Sequence, residues 1–86
     1  MKILTHKKFE KAFKCLPSKL QNKFYQQLAI FQNNKDDKKL RNHSLVGRYL
    51  GYRSMDLTGD WRIIFEELDN ETIKLINIGT HSELYG

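Results

Sequence analysis

Several residue types that organise small proteins are scarce in this chain of 86 residues, which has one cysteine, one proline and five glycines. A single cysteine, Cys15, excludes an internal disulfide. Its place near the end of a predicted helix favours a small buried or half-buried side chain over a catalytic thiol. Glycine-rich phosphate loops and internal repeats are also absent. We therefore expect one domain, residues 1–86, with a thin core, since a chain this short buries only about 60–70% of its unfolded surface.

Long hydrophobic runs are missing as well. The longest is the four residues from Leu28 to Phe31. This run is far too short for a membrane-spanning helix or the apolar core of a signal peptide. The sequence predicts a soluble cytoplasmic protein that does not associate with membranes.

Acidic residues are rare in the first half of the chain. Residues 1–48 contain twelve Lys/Arg and three Asp/Glu, a net charge of +9, whereas residues 49–86 contain three and seven, a net charge of −4. The basic half has two interpretations: a surface that binds nucleic acid, or lysines that only solvate two amphipathic helices. The charge favours an acidic partner, either RNA or a protein segment.

Two helices are predicted in this basic half, after a short possible strand at residues 2–5. The first has an apolar stripe at helical spacing, formed by Phe9, Ala12, Phe13 and Leu16. Thr5 is its expected N-cap, and Pro17 ends it and begins the next helix. The second stripe consists of Leu20, Phe24, Leu28 and Phe31. Asn33-Asn34 ends the second helix, and residues 35–50 have no clear period, which indicates a long surface connection.

From residue 51 the apolar spacing changes to two, which is typical of strands. Three strands are predicted at 51–57, 61–68 and 72–78, joined by the turn sequences Thr58-Gly59-Asp60 and Asp69-Asn70. The predicted fold is α+β in the order β-α-α-β-β-β. Two antiparallel helices cover one face of a mainly antiparallel sheet of three to four strands, and the other face is open.

The strand pattern also predicts which residues share the open face. If Met55, Leu57, Trp61, Ile63 and Phe65 face the helices, a three-residue turn pairs Leu57 with Trp61 and Asp56 with Arg62. A two-residue turn at Asp69-Asn70 pairs Arg62 with Asn77. Asp56, Arg62 and Asn77 then form one row across the open face, unless a bulge at Gly59 shifts the register.

The polar residues near this row are candidates for chemistry. Arg62, placed between apolar neighbours, suits a fixed cation for a phosphate or a structural ion pair with Asp56, and these two roles can coexist. His81, at the end of the last strand, can act as a general acid or base. Asp60 follows a glycine and is either a turn residue or a catalytic carboxylate. His43 needs tertiary contacts to join them.

Other candidates are weighed against simpler structural roles. Tyr85 lies near the chain end, where an aromatic side chain favours base stacking or proton transfer. By strand parity Trp61 faces the core, and Arg53 lies on the helix side as a structural hydrogen bonder or rim charge. His6 has no expected role. The spacing of the three histidines and one cysteine does not match a metal site, so we expect neither metal nor cofactor.

Four segments together resemble the RelE superfamily of bacterial toxins, and specifically its YafQ-like branch. They are Asn42–Gly47, Gly51–Ser54, Asp60–Phe65 and Gly79–Tyr85. With the two leading helices, the resemblance extends over nearly the whole chain. The combined spacing is fairly specific, although each segment alone is weak.

The resemblance implies a toxin of a type II toxin–antitoxin pair, namely a ribosome-dependent endoribonuclease that cuts mRNA and is silenced by a cognate antitoxin. Operator DNA would be bound only through the antitoxin complex. The family's functional positions match His43, Asp60, Trp61, His81 and Tyr85, and the strand arginine of RelE itself matches Arg62. Two positions differ, because this chain has Asp56 where the branch has a histidine and Asn77 where it has an arginine.

The chemistry of RNA cleavage needs a base for the 2′-hydroxyl, a cation for the phosphorane and an acid for the departing 5′-oxygen, without a metal. We assign acid or base work to His81, the scissile phosphate to Arg62, and the complementary proton transfer to Asp60 or His43. Tyr85 stacks on a base or assists a proton. The substrate-binding candidates are Asp56, Asn77, Trp61, Arg53 and Arg48. The basic helical half would bind ribosomal RNA.

Two other functions compete with this interpretation. A gyrase-inhibiting toxin of the ParE type shares the fold but has no need of His43, His81 or Tyr85. A non-catalytic module would bind RNA or a protein through its basic face.

Overall fold

The computed structural model describes residues 1–86 as an α+β domain, in agreement with the predicted class. The elements in chain order are β1 (Lys2–Thr5), α1 (Lys7–Lys14), α2 (Ser18–Asn33), β2 (His43–Ser44), a 3-10 turn (Gly47–Tyr49), β3 (Arg53–Thr58), β4 (Trp61–Asp69), β5 (Thr72–Thr80) and α3 (His81–Tyr85). None of these helices is both long and apolar enough to cross a bilayer.

The sheet has five strands in the order β1-β5-β4-β3-β2, one more than the predicted maximum of four. β1 lies parallel to β5, and the other neighbours are antiparallel. The additional strand is β2, which is too short, at two residues, to show an alternating pattern in the sequence. Residues 35–50 are therefore more than a surface connection. Within them Leu40 is fully buried, and its carbonyl accepts a hydrogen bond from the Asp56 N–H at 2.7 Å.

The first two helices begin and end close to the predicted residues. The predicted N-cap of α1 is wrong by one residue, because His6, not Thr5, caps it by accepting from the Lys8 N–H through Nδ1. Pro17 is the N-cap of α2, and Asn34 ends that helix. Cys15 caps the C-terminus of α1 but is exposed, so the prediction of a buried or half-buried thiol is wrong.

The main core lies between these helices and one face of the sheet. Its twelve buried residues include Phe31, Met55, Leu57, Ile63 and Phe65, and Trp61 packs against it half-buried. The predicted parity of β3 and β4 is thus confirmed. The rings of Phe31 and Phe65 meet edge to face at 5.2 Å between centroids, which ties α2 to the central strand.

The predicted register is correct at one pair of strands and wrong at the other. Asp56 pairs with Arg62 as predicted, but Trp61 pairs with Thr58, not Leu57, because the register shifts between Asp56 and Thr58. Arg62 pairs with Gly79, whereas Asn77 lies opposite Ile64. The difference comes from the turn, which occupies Asn70 and Glu71 instead of Asp69 and Asn70, so that Asp69 pairs with Thr72. Two irregularities between β4 and β5 add one residue to opposite strands, so their effects on the register cancel before Arg62.

Candidate functional site

The open face of the sheet carries a cleft of about 530 Å³ at the end where β2 and α3 approach β4. A small buried cluster of Leu45, Ile64 and Leu84 lies on the same face. Four predicted site residues meet in this cleft, namely Arg62, His43, His81 and Tyr85. The remaining lining consists of Arg41, Leu45, Val46 and Ser54.

Arg62 is held in the cleft by its own strand and turn. Its Nη1 donates to the carbonyl oxygens of Gly59 at 2.7 Å and Trp61 at 3.0 Å. Its Nε lies 3.2 Å from Asp56 Oδ1, a contact that is electrostatic because the N–H is not aligned with that oxygen. Since Nη2 has no partner within the chain, the guanidinium is fixed on one side and available on the other.

Asp56 is the support behind this arginine. Its backbone N–H donates to Leu40 and its carbonyl accepts from Gln27 Nε2 at 2.8 Å, so α2 and the segment before β2 both fix this residue. The carboxylate contacts two guanidiniums, because Oδ2 lies 3.4 Å from Nε of Arg41. Asp56 is therefore placed to hold cations and does not itself line the cleft.

His43 is exposed on β2 and has a defined tautomer when neutral. Its Nδ1 lies 2.8 Å from the carbonyl oxygen of Arg41. A carbonyl can only accept, so Nδ1 carries the proton and Nε2 keeps its lone pair. Pairing of His43 with Ser54 fixes the backbone beside the cleft.

The short helix α3 carries His81 and Tyr85 into the cleft. The backbone N–H of His81 donates to the carbonyl of Asp60 at 3.0 Å, and the two aromatic rings lie 4.6 Å apart. Thr80 and Glu83 form a capping box at the start of α3. The hydrogen bond from the Thr80 N–H lowers the pKa of Glu83 below its ordinary value of 4.5.

The end of α3 is fixed by the segment after β2. Both Arg48 Nη2, at 2.8 Å, and the Tyr49 hydroxyl, at 2.6 Å, donate to the carbonyl of Leu84. The ring of Tyr85 meets that of Tyr49 edge to face at 5.3 Å. Arg48, a predicted substrate ligand, is thus occupied with the last turn of α3 and does not line the cleft.

The other predicted site residues lie elsewhere. Asp60 is exposed in the turn before β4 and contributes its carbonyl to His81, while its carboxylate does not line the cleft. The Asn77 side chain bonds to the neighbouring Ile78 N–H. Trp61 packs on the core. Arg53 lies outside the cleft, and its Nε donates a hydrogen bond to Asn42 Oδ1 at 2.9 Å. This contact agrees with the structural hydrogen-bonding role considered for Arg53.

Two polar cleft residues were missed by the sequence analysis. Arg41 lies in a segment without period, two residues before His43, and its sequence context gives no signal. Ser54 is 1% exposed and its hydroxyl has no partner. The strand alternation that placed Asp56 on the open face also placed Ser54 there, so this residue could have been found.

The charges in the cleft favour anions, since two guanidiniums face a single carboxylate. No group of three or more His, Cys, Asp or Glu side chains is arranged to hold a metal ion. An anchored guanidinium, a second exposed one, two imidazoles and a phenol are suited to binding a phosphate and moving protons beside it.

Comparisons with known proteins agree with the fold. The crystal structure of YafQ from E. coli strain BL21(DE3) is similar at a TM-score of 0.81 and 24% identity, over 98% of this chain and 97% of that one. The E. coli DinJ-YafQ complex matches at a TM-score of 0.79 and 25% identity, over 98% of this chain and 97% of that one. The RelB-RelE antitoxin-toxin complex from Methanococcus jannaschii matches at a TM-score of 0.70 and 22% identity, over 95% of this chain and 94% of that one. No curated protein sequence matches significantly.

The family comparison extends over the entire chain. Residues 1–86 match the family described as the bacterial toxin of type II toxin-antitoxin system, YafQ. The match includes the four segments whose spacing carried the resemblance in the sequence, and each of the four supplies at least one residue that lines the cleft. This chain is therefore a member of the YafQ family of toxins of type II toxin–antitoxin systems.

Proposed function

We propose that this toxin is a ribosome-dependent endoribonuclease that cuts mRNA by attack of a 2′-hydroxyl on the adjacent phosphodiester, without a metal ion. Residues 1–86 would act as one functional domain in the cytoplasm. The observation that carries the proposal is the meeting of His43, His81, Tyr85 and the anchored Arg62 in one open cleft. Each of the three tasks in RNA cleavage then has a side chain of suitable chemistry.

His43 is proposed as the general base. In its neutral form Nδ1 donates to the Arg41 carbonyl, so the lone pair of Nε2 is free to accept the proton of the 2′-hydroxyl. We prefer His43 to Asp60 for this role, because Asp60 does not line the cleft. Asp60 would instead position His81 through its backbone carbonyl.

Arg62 and His81 complete the reaction. As the 2′-oxygen bonds to phosphorus, the charge on the phosphorane is stabilised by the free side of the Arg62 guanidinium. The bond from phosphorus to the 5′-oxygen then breaks, and protonated His81 donates a proton to that oxygen. The products are a 2′,3′-cyclic phosphate and a 5′-hydroxyl. RNA supplies its own nucleophile, which is why the scheme requires no metal.

Tyr85 and the apolar rim would bind a base. The Tyr85 ring is half-buried against Tyr49, so its orientation is already restricted before a base binds. Stacking of a base on this ring would therefore cost little side-chain conformational entropy. Val46 is 81% exposed at the cleft and offers a second apolar contact. The lysines of the basic half, on the other side of the sheet, would contact ribosomal RNA through charge.

A cognate antitoxin is the proposed protein partner. The DinJ-YafQ and RelB-RelE structures describe toxin–antitoxin complexes of related folds. The net charge of +5 is consistent with an acidic antitoxin. Operator DNA would be bound by the complex and not by the toxin alone.

The test is cleavage of a defined mRNA on programmed ribosomes. We expect wild-type protein to produce fragments with 5′-hydroxyl ends, and His81→Ala or His43→Ala to lower the cleavage rate by about 10²–10⁴-fold, the usual contribution of one acid–base group. The matched control is His6→Asn, which keeps an acceptor at the N-cap of α1 and lies outside the cleft. Unchanged cutting by both variants would remove the histidines from the mechanism.

The competing functions give different results in the same experiments. A gyrase-inhibiting toxin would induce DNA-damage signalling in cells and leave translation intact at first. A binding module would keep its RNA affinity after His81→Ala and release no fragments at any concentration. The fold does not separate these cases, because a YoeB/ParE toxin from Agrobacterium tumefaciens is also similar, at a TM-score of 0.78 and 14% identity.

A further inference from the structure

Arg41 is the charged cleft residue that the proposed mechanism leaves without a task. Its side chain is 69% exposed, whereas that of Arg62 in the same cleft is 18% exposed. Both guanidiniums contact one carboxylate through different oxygens, because Arg62 approaches Asp56 Oδ1 and Arg41 approaches Oδ2. A single negative charge therefore serves two cations, and the site retains one positive charge.

The two ion pairs differ in what holds the arginine. Arg62 also donates to two carbonyl oxygens, so it stays in place without a ligand. The guanidinium of Arg41 has only Asp56 as a partner. An exposed pair of this kind gains little over hydration of its members. A phosphate accepts charge-assisted hydrogen bonds from a guanidinium in bidentate geometry, so Arg41 can transfer its contact to an incoming phosphate.

The backbone of Arg41 is fixed by the same site. Its φ is +49°, a left-handed conformation that residues other than glycine seldom adopt. The carbonyl of Arg41 accepts from His43 Nδ1 at 2.8 Å. This one residue thus joins the proposed base to the shared carboxylate. Uncommon backbone conformations persist where surrounding contacts impose them, and they concentrate at functional sites.

We propose that Arg41 is a second phosphate-binding residue of the cleft, which contacts an RNA phosphate adjacent to the scissile one while Arg62 contacts the scissile phosphate. Asp56 lies between the two guanidiniums and sets their separation. The inference rests on the proposed function, since it assumes RNA as the occupant. It assigns binding to Arg41, and proton transfer remains with the histidines.

The test measures binding separately from cleavage. A single-stranded 2′-O-methyl RNA oligonucleotide lacks the nucleophile and cannot be cut, so its Kd can be determined with active protein over a series of salt concentrations. Loss of one phosphate contact lowers the slope of log K against log salt by about 0.7 for single strands. We expect that reduction for Arg41→Gln, so its loss of affinity relative to wild type should be larger at low salt than at high salt.

Three variants sharpen this measurement. Arg41→Lys keeps a point charge and should keep most of the salt slope. Arg41→Asn removes the charge with a residue that tolerates positive φ, so it should behave like Arg41→Gln. Lys74→Gln removes the same charge from β5, outside both the cleft and the basic half, and should retain the wild-type slope. A wild-type slope for Arg41→Gln or Arg41→Asn, or an equal reduction for Lys74→Gln, would overturn the inference.

Failure of this inference differs from failure of the proposed function. If wild-type protein cuts mRNA on ribosomes but the slope does not depend on Arg41, only the second phosphate contact is wrong. If the slope depends on Arg41 but no RNA is cut, the cleft binds RNA without the proposed chemistry. Thermal unfolding of Arg41→Gln should match wild type because the side chain is largely exposed.

Discussion

The two faces of the sheet differ in what covers them. On one face α1 and α2 enclose a cluster of twelve buried residues. On the other, three buried residues hold α3 beside an open cleft that contains charged and titratable side chains. Burial of apolar surface is the main source of folding free energy, so the helical face supplies most of the stability. The open face has enough apolar contact to position a site and enough exposure to admit a ligand.

Asp56 and Gln27 connect these two faces. Gln27 is buried on α2 and donates to the Asp56 carbonyl, and the carboxylate of Asp56 contacts both cleft arginines on the opposite face. The helical side therefore fixes the position of the charges without exposing them to its apolar core. Predictions that separate stability from site geometry test this division.

The largest expected effect is on the helical face. Phe65→Ala would remove a fully buried ring that packs on Phe31 and would lower the free energy of unfolding by about 3–5 kcal/mol. A small domain has about 5–15 kcal/mol in total, so cleavage should be lost together with the fold. Denaturant unfolding measures the change. Leu50→Ala, at a side chain 77% exposed, is the control and should shift stability by less than about 0.5 kcal/mol.

A substitution on the open face is expected to have a smaller effect on global stability. Leu84→Ala would weaken the docking of α3 by about 2–5 kcal/mol, because this side chain is 2% exposed in the small cluster. His81 and Tyr85 would then leave the cleft, so cleavage should fall. Amide exchange should accelerate in residues 81–85 before the rest of the domain. A shift of the unfolding midpoint as large as that of Phe65→Ala would show instead that the two clusters unfold together.

The smallest expected effect is the pH dependence of the α3 cap. The pKa of Glu83 is lowered in the folded state by the Thr80 N–H, so the cap contributes fully above the ordinary value of 4.5. The contribution is lost as the pH falls through the lowered pKa. Amide chemical shifts of α3, followed from about pH 6 to about pH 3, should report this loss. Glu83→Gln should remove that titration, and its persistence would assign it to another group.

Much of this division between faces could be predicted from the chain. The helical stripes and strand alternation placed Phe31, Met55, Ile63 and Phe65 in the core, because one buried face imposes a period of 3.6 on a helix and 2 on a strand. The Asp56–Arg62 pair followed from the same alternation. Asn77 was misplaced because the turn between β4 and β5 occupies Asn70 and Glu71, one residue later than predicted, which moves the partner of Arg62 by two residues to Gly79.

The cleft was less predictable than the core. His43 and Arg41 lie in a segment without periodicity, and a two-residue strand pairing brings them to β3. Asp60 and Arg48 were predicted at the site, but the fold uses the backbone carbonyl of Asp60 and the guanidinium of Arg48 to fix α3. Residue type identified groups capable of chemistry, and it did not distinguish those that face the cleft from those that support it.

The pattern of residues along the chain was sufficient to assign the class of fold, the covered face of the sheet, and the membership of a toxin family whose spacing survives in four segments. These properties follow from periodic burial and local turn chemistry, which are encoded over a few neighbouring residues. The tertiary structure was needed to show that Arg41 joins Arg62 at Asp56 and which polar residues reach the cleft. Those outcomes depend on contacts between residues distant in the chain, for which no local pattern exists.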